Sequence, residues 1–170
     1  AGLMLGLLLL QEKRYPEVLV LANGILKKEP DNAVVHNMKS VALWGSGDTD
    51  SALISAKRSV ALRPNYVLAR SNLAKIELSL GNLDAAKKNL TSIMNLPHAG
   101  VQPMIELAQI ARSESRLDEA VLILEKARIK APNNKPLQLA LIDMYRQTGR
   151  LDDAIEYTRE LRNKDPENLS

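Results

Sequence analysis

Few residues in this chain have chemistry to offer. There is no Cys, so a thiol nucleophile, a Cys-held zinc or iron–sulfur site and a disulfide framework are all excluded. His36 and His98 do not stand at the i, i+4 spacing of a helical metal-ligand pair, and His98 falls in an inter-unit turn. Gly45-Ser46-Gly47 lacks the rest of a dinucleotide fingerprint and belongs to a turn between helices. Asp48-Thr49-Asp50 begins like a calcium loop, but the required Gly and distal Glu do not follow. Asn89-Leu90-Thr91 and Asn168-Leu169-Ser170 match the glycosylation triplet, the first in mid-helix. Ser and acidic side chains abound with no His to activate them. The expectation is a chain with no catalytic residues, no cofactor and no metal. Trp44 is different: it is the one Trp, of the type that dominates interface hot spots, although a core position would also suit it.

The elements that hold these residues follow from composition. The chain has 170 residues, 45% hydrophobic and 25% charged, which is globular composition. Without Phe, and with four Tyr and one Trp, the core must be aliphatic, and Leu and Ala favour helices. A net charge of +3 is small for a nucleic-acid binder, and no such partner is expected. Residues 1–10 (AGLMLGLLLL) carry no charge, but Gln11-Glu12-Lys13-Arg14 ends the run short of the roughly 20 residues a membrane span needs. No basic stretch precedes it as in a secretory signal, so it reads as a buried helix without direct membrane insertion.

One period organises the chain. Pro30, Pro64, Pro132 and Pro166 are spaced by 34 residues or twice that, with Pro97-His98 at the missing place. Ala52, Ala86, Ala120 and Ala154 repeat every 34, with Val18 completing the row. Gly47-Asp48, Gly81-Asn82, Ser115-Arg116 and Gly149-Arg150 repeat a turn signal at the same interval, as do Leu73, Leu107 and Leu141. Within a period the reading is helix, tight turn, helix. Leu68, Leu73, Ile76 and Leu80 recur at helical spacing, Gly81 suits a left-handed C-cap, and Asp84 can cap a second helix over 85–95 before Pro97. In the last period a helix over 137–148 ends at Gly149, and Asp152 and Asp153 start the next, where the macrodipole favours acids. Helices of about 12 to 14 residues are marginal alone, so each hairpin must bury its apolar stripe on neighbours.

This pattern resembles the tetratricopeptide repeat, a 34-residue helix–turn–helix unit, over essentially the whole chain. Position 8 of each unit is Gly6, Ser40, Ala74, Ala108 and Ile142; position 32 is Pro30, Pro64, His98, Pro132 and Pro166. The sequence departs from the family at its aromatic places: position 4 is Gly2, His36, Arg70, Met104 and Gln138, and position 24 is Ala22, Ala56, Leu90, Leu124 and Thr158. The resemblance implies an all-α, right-handed α-solenoid, one array over 1–170 with units at 1–32, 33–66, 67–100, 101–134 and 135–168. Residue 1 falls at position 3 of a unit and residue 170 at position 2 of a sixth, so the chain reads as part of a longer array. The leucine-rich first helix is then an apolar end through which copies could dimerise.

In this family the first helices of successive units line a concave groove through positions 2, 5, 9, 12 and 13. Carried across, these are Val34, Asn37, Val41, Trp44 and Gly45; Leu68, Ser71, Lys75, Leu78 and Ser79; Gln102, Ile105, Gln109, Arg112 and Ser113; and Pro136, Leu139, Asp143, Arg146 and Gln147. The resemblance thus implies a protein or peptide partner held in a groove that is apolar toward the N-terminal half, with Lys75, Arg112 and Arg146 toward the other. The carboxylate clamp of chaperone-binding members is not matched: its places hold Asn37, Val41, Asn72, Gln102 and Glu106, without the cations. The stretch Pro64-Asn65-Tyr66-Val67-Leu68-Ala69-Arg70, with Leu73-Ala74, Ala127-Arg128 and Pro132-Asn133-Asn134, is similar to long bacterial tetratricopeptide lipoproteins of exopolysaccharide export and protein sorting. That likeness implies an envelope or periplasmic assembly role, against a cytoplasmic one. A third reading is the non-catalytic arm of a larger enzyme such as a glycosyltransferase.

Overall fold

A computed structural model describes residues 2–94, 96 and 98–164. Pro97, Pro166 and the glycosylation triplet at 168–170 lie outside the described residues. Two compact units divide the chain, at residues 1–98 and 99–170. The first holds α1 (Gly2–Gln11), α2 (Tyr15–Leu26), α3 (Ala33–Gly45), α4 (Thr49–Leu62), α5 (Val67–Ser79) and α6 (Leu83–Ile93). The second holds α7 (Gln102–Ser113), α8 (Leu117–Lys130), α9 (Lys135–Gln147) and α10 (Leu151–Lys164). Among the described residues every element is helical, as expected for an all-α chain. Helices pack as hairpins, α1 with α2 through α9 with α10, and within each unit a hairpin's second helix packs on the first helix of the next, α2 on α3 and α4 on α5 in the first unit and α8 on α9 in the second.

The period is written into the backbone. Residues 47, 81, 115 and 149 all have positive φ, at 89°, 76°, 60° and 73°. Lys13, one period before Gly47, shares the conformation at φ 57°, a turn its residue type gives no hint of. Caps follow the local rules: Asn32 Oδ1 accepts from the amides of Val34 and Val35, and Asn134 Oδ1 from that of Leu137. Asp48 is an N-cap as well, accepting from the Ser51 amide at 3.1 Å, which gives the acidic triplet a structural role. The expectation at Asp84 needs correction. Helix α6 starts at Leu83 after an Asn82 N-cap, so Asp84 lies in the first turn, where it favours the macrodipole and pairs with Lys87 at 3.2 Å.

Small residues mark close approach. Val18, Ala52, Ala86 and Ala120 are fully buried and Ala154 is nearly so. A Cβ on Gly6 would fall 2.1 Å from Met38 Sδ of α3, so position 8 serves the junction with the next unit and not only its own hairpin. At three of the five position-4 places the missing aromatic is replaced by a donor. His36 Nε2, Arg70 Nε and Gln138 Nε2 each donate to the carbonyl of the proline six residues earlier, Pro30, Pro64 and Pro132. These bonds tie the loop between units to the helix that follows it.

Candidate functional site

The second unit contains a cleft of about 270 Å³ between the first helices α7 and α9. Its floor is apolar: Ile105 and Ala108 from α7, Leu124 from α8, Ala140 and Met144 from α9. Period-3.6 patterning buries one edge of each helix and leaves the next edge to line the opening. Gln109, Arg112, Leu139 and Asp143 form that opening, and Leu139 is 64% exposed, a large apolar side chain at the mouth of an apolar hollow. Arg112 Nη1 lies 3.4 Å from Asp143 Oδ2, and Gln147 Nε2 donates to the same oxygen at 2.7 Å. Both ion-pair partners are substantially solvated, so the pair is weak and leaves the guanidinium available to a competing acceptor.

Five of the residues expected to line a groove therefore meet in one place: Ile105, Gln109, Arg112, Leu139 and Asp143. Arg146 does not join them. It is exposed beside Ile142, Leu151 and Ile155, in a second apolar hollow at the α9–α10 hairpin. Gln102, in the first turn of α7, donates to Glu106 Oε1 at 3.1 Å. The floor residues Ala108, Leu124, Ala140 and Met144 escape a reading of the surface because their spacing marks them as core.

In the first unit the expected side chains divide between packing and surface. Asn37 is buried, and its Oδ1 accepts from Asn72 Nδ2 at 2.9 Å, joining α3 to α5. Trp44 is half-buried and packs on the cluster of Leu43, Ala52, Ala56, Leu73 and Ile76. Gly45 abuts the ring of Tyr15, where a Cβ would sit 2.4 Å away. Val41, Ser71 and Lys75 are half-buried, and Leu68 is 61% exposed.

A network around Tyr145 was not foreseen. Tyr145 Oη donates to Glu125 Oε1 at 3.0 Å, Arg150 lies 4.8 Å from its ring centre, and Arg128 stacks likewise on Tyr157. Burial, reinforced by the Glu125 carboxylate, pushes the Tyr145 hydroxyl up to about 12, and burial also raises Tyr157. Among the described residues no three His, Asp or Glu side chains converge as a metal site, and no helix is long and apolar enough to cross a membrane.

Comparison with known proteins agrees with this architecture. Family models described as tetratricopeptide repeats match residues 37–87 and 111–170. The mouse (Mus musculus) tetratricopeptide repeat protein 21A is 27% identical over 107 residues, which is 63% of this chain and 8% of that protein. The chain spans well under a fifth of the curated relatives it matches. Among solved structures, Pseudomonas aeruginosa PilF superposes with a TM-score of 0.84 at 17% identity, over 92% of this chain and 72% of that one. MamA from Desulfovibrio magneticus gives 0.79 at 17% identity, over 98% and 94%. Identities this low speak for the fold alone.

Proposed function

We propose, for a chain that belongs to the tetratricopeptide repeat family, a role as a non-catalytic scaffold that holds a segment of a protein partner against its first helices. The observation that carries this reading is the α7–α9 cleft, with an apolar floor, an exposed Leu139 and a weakly paired Arg112 at its mouth. A segment placing an apolar side chain over Ile105 and Ala140 and a carboxylate beside Arg112 would match both features. Removing Leu139 from water supports binding, and a partner carboxylate replaces Asp143 as the acceptor for the guanidinium.

The test uses peptides selected on the immobilised chain from a displayed random library, with affinities measured by fluorescence anisotropy. Leu139→Asp should weaken them at least about tenfold, equivalent to about 1.4 kcal/mol. Arg112→Glu should select against acidic peptides in particular. Both side chains are solvated, so thermal unfolding should be unchanged in each variant. Selected peptides that bind the two variants as tightly as the parent would place recognition elsewhere.

A further inference from the structure

The grooves between second helices follow the period of the chain, and one repeat place is hollow in both units. In the first unit a hollow of about 370 Å³ lies between α2 and α4, with Asn23, Leu43, Ser51, Ile54 and Ser55 in its walls. In the second unit a hollow of about 430 Å³ lies between α8 and α10. Glu125, Tyr145, Asp153, Glu156 and Tyr157 occupy the same places there, each three 34-residue periods later. The α2–α4 hollow is open although α5 and α6 follow it in the chain. Its counterpart is therefore a property of this repeat place, which a further stacked hairpin does not cover.

The two hollows differ in chemistry. Leu19, Leu43 and Ile54 make the first largely apolar, and its one cation, Lys39, donates to Asn23 Oδ1 at 2.9 Å. The second sets four carboxylates, those of Glu125, Asp153, Glu156 and Glu160, against two guanidinium groups. Arg150 is engaged with Asp153 at 2.6 Å and Glu125 at 3.2 Å. Arg128 reaches Glu160 only at 3.9 Å, and Glu156 has no ion-pair partner among the described residues. Tyr157 lines the same hollow and is 4% exposed, and its Oη is buried without a hydrogen-bond partner. A hydroxyl left unpaired in this way costs free energy that an entering donor recovers. On the opposite wall Ile129 is 82% exposed, and Leu122, two turns earlier on the same face of α8, is 55% exposed.

We infer that the α8–α10 hollow holds a basic segment of a protein partner. An arginine or lysine side chain enters between Glu156 and Glu160 and donates to Tyr157 Oη, while a neighbouring apolar side chain covers Ile129. The excess of carboxylates selects a cation. No three of them converge as ligands to a metal ion would, so the charge that suits them is carried on an extended organic group. The same carboxylates repel a phosphate-bearing partner, and a free polyamine would leave Ile129 in water. Arg128 yields readily, because its hold on Glu160 is long and half-solvated. This surface is separate from the α7–α9 cleft: the two share no lining residue and call for opposite charges.

Fluorescence anisotropy on the 170-residue chain tests this with two labelled nonapeptides, one of alternating Leu and Arg and one with Ser in place of each Arg. The Arg probe should bind, more weakly as salt is raised, and the Ser probe should bind at least about tenfold more weakly. Joint Glu156→Lys and Glu160→Lys substitution should weaken the Arg probe by at least about tenfold, with circular dichroism melts verifying the fold. Tyr157→Phe should weaken it severalfold while melting no lower than the parent, because it removes an unpaired buried hydroxyl. Leu139→Asp, which blocks the α7–α9 cleft, should leave the Arg probe bound as before. An Arg probe that fails to bind the parent, or binds the doubly substituted chain as tightly, overturns the inference. So does undiminished binding by Tyr157→Phe, since the cation would then not reach the hydroxyl. Lost binding in Leu139→Asp overturns it as well, by moving the probe to the cleft.

Discussion

Asn89 holds together a buried polar chain that no periodic signal announces. Its Nδ2 donates to Glu77 Oε2 at 2.9 Å and to the Ala85 carbonyl at 3.1 Å, while its Oδ1 accepts from Arg70 Nη1 at 3.0 Å. Glu77 is 4% exposed, so its carboxylate depends on that amide. Asn89→Ala should therefore cost about 2–3 kcal/mol, more than removal of an ordinary hydrogen bond. Urea denaturation of Asn89→Ala and of Asn89→Ala with Glu77→Leu checks this. The double variant should regain part of the loss, and equal stabilities would mean that the chain of bonds is dispensable. Tyr145 offers a pH readout. Its folded hydroxyl titrates near 12, above the ordinary value of about 10 for the unfolded chain. The folded state then keeps a proton that the unfolded state has lost, so this contribution is intact below pH 10 and disappears as pH climbs toward 12. Tyrosinate absorbance should show the Tyr145 step well above pH 10, and Glu125→Gln should bring it to lower pH. Nothing in the spacing of the sequence singles out Tyr145, because Glu125 and Arg150 become its partners only once α8 and α10 are folded beside it.

Hairpin turns belong to the scale of the element, and their reading was uneven for a physical reason. A left-handed residue is legible where glycine fills it, as at Gly47, Gly81 and Gly149, and partly legible at Ser115. Lysine announces no turn, so Lys13 is found only by register. A Cβ added at Gly149 would meet nothing within 4 Å, which leaves the backbone as the sole source of strain on substitution. Gly149→Ala should thus destabilise by about 1–2 kcal/mol, and Ser115→Gly should stabilise by a few tenths to about 1 kcal/mol once the extra entropy of glycine is deducted. Thermal unfolding of the pair decides it, and a destabilised Ser115→Gly would show that the serine side chain matters more than its φ. Helix ends were less legible than turns. At α6 both Asn82 and Asp84 are competent caps, and the choice fell to the residue next to the turn, moving the start to Leu83.

For the molecule as a whole, a single 34-residue period made the order and pairing of helices legible, because each unit repeats the same solution to burying one apolar stripe. The proposed binding face was legible only at its rim. Gln109, Arg112 and Asp143 carry the repeat position of an exposed edge, but Ala108, Leu124, Ala140 and Met144 are patterned as core, and their opening into a cleft depends on how α7 and α9 splay. The same neighbour-to-neighbour logic governs stability. In the first unit α3 packs on α1, α2, α4 and α5, whereas α1 meets only α2 and α3 among its main contacts and buries just Gly6 and Leu9. Local opening free energy follows such contacts, so protection should be graded along the chain instead of uniform. Native-state hydrogen exchange should find α3 amides exchanging at least about tenfold more slowly than those of α1, or about 1.4 kcal/mol of local stability. Uniform protection across α1 and α3 would instead mean that the first unit opens in one step, with the hairpins contributing as a block.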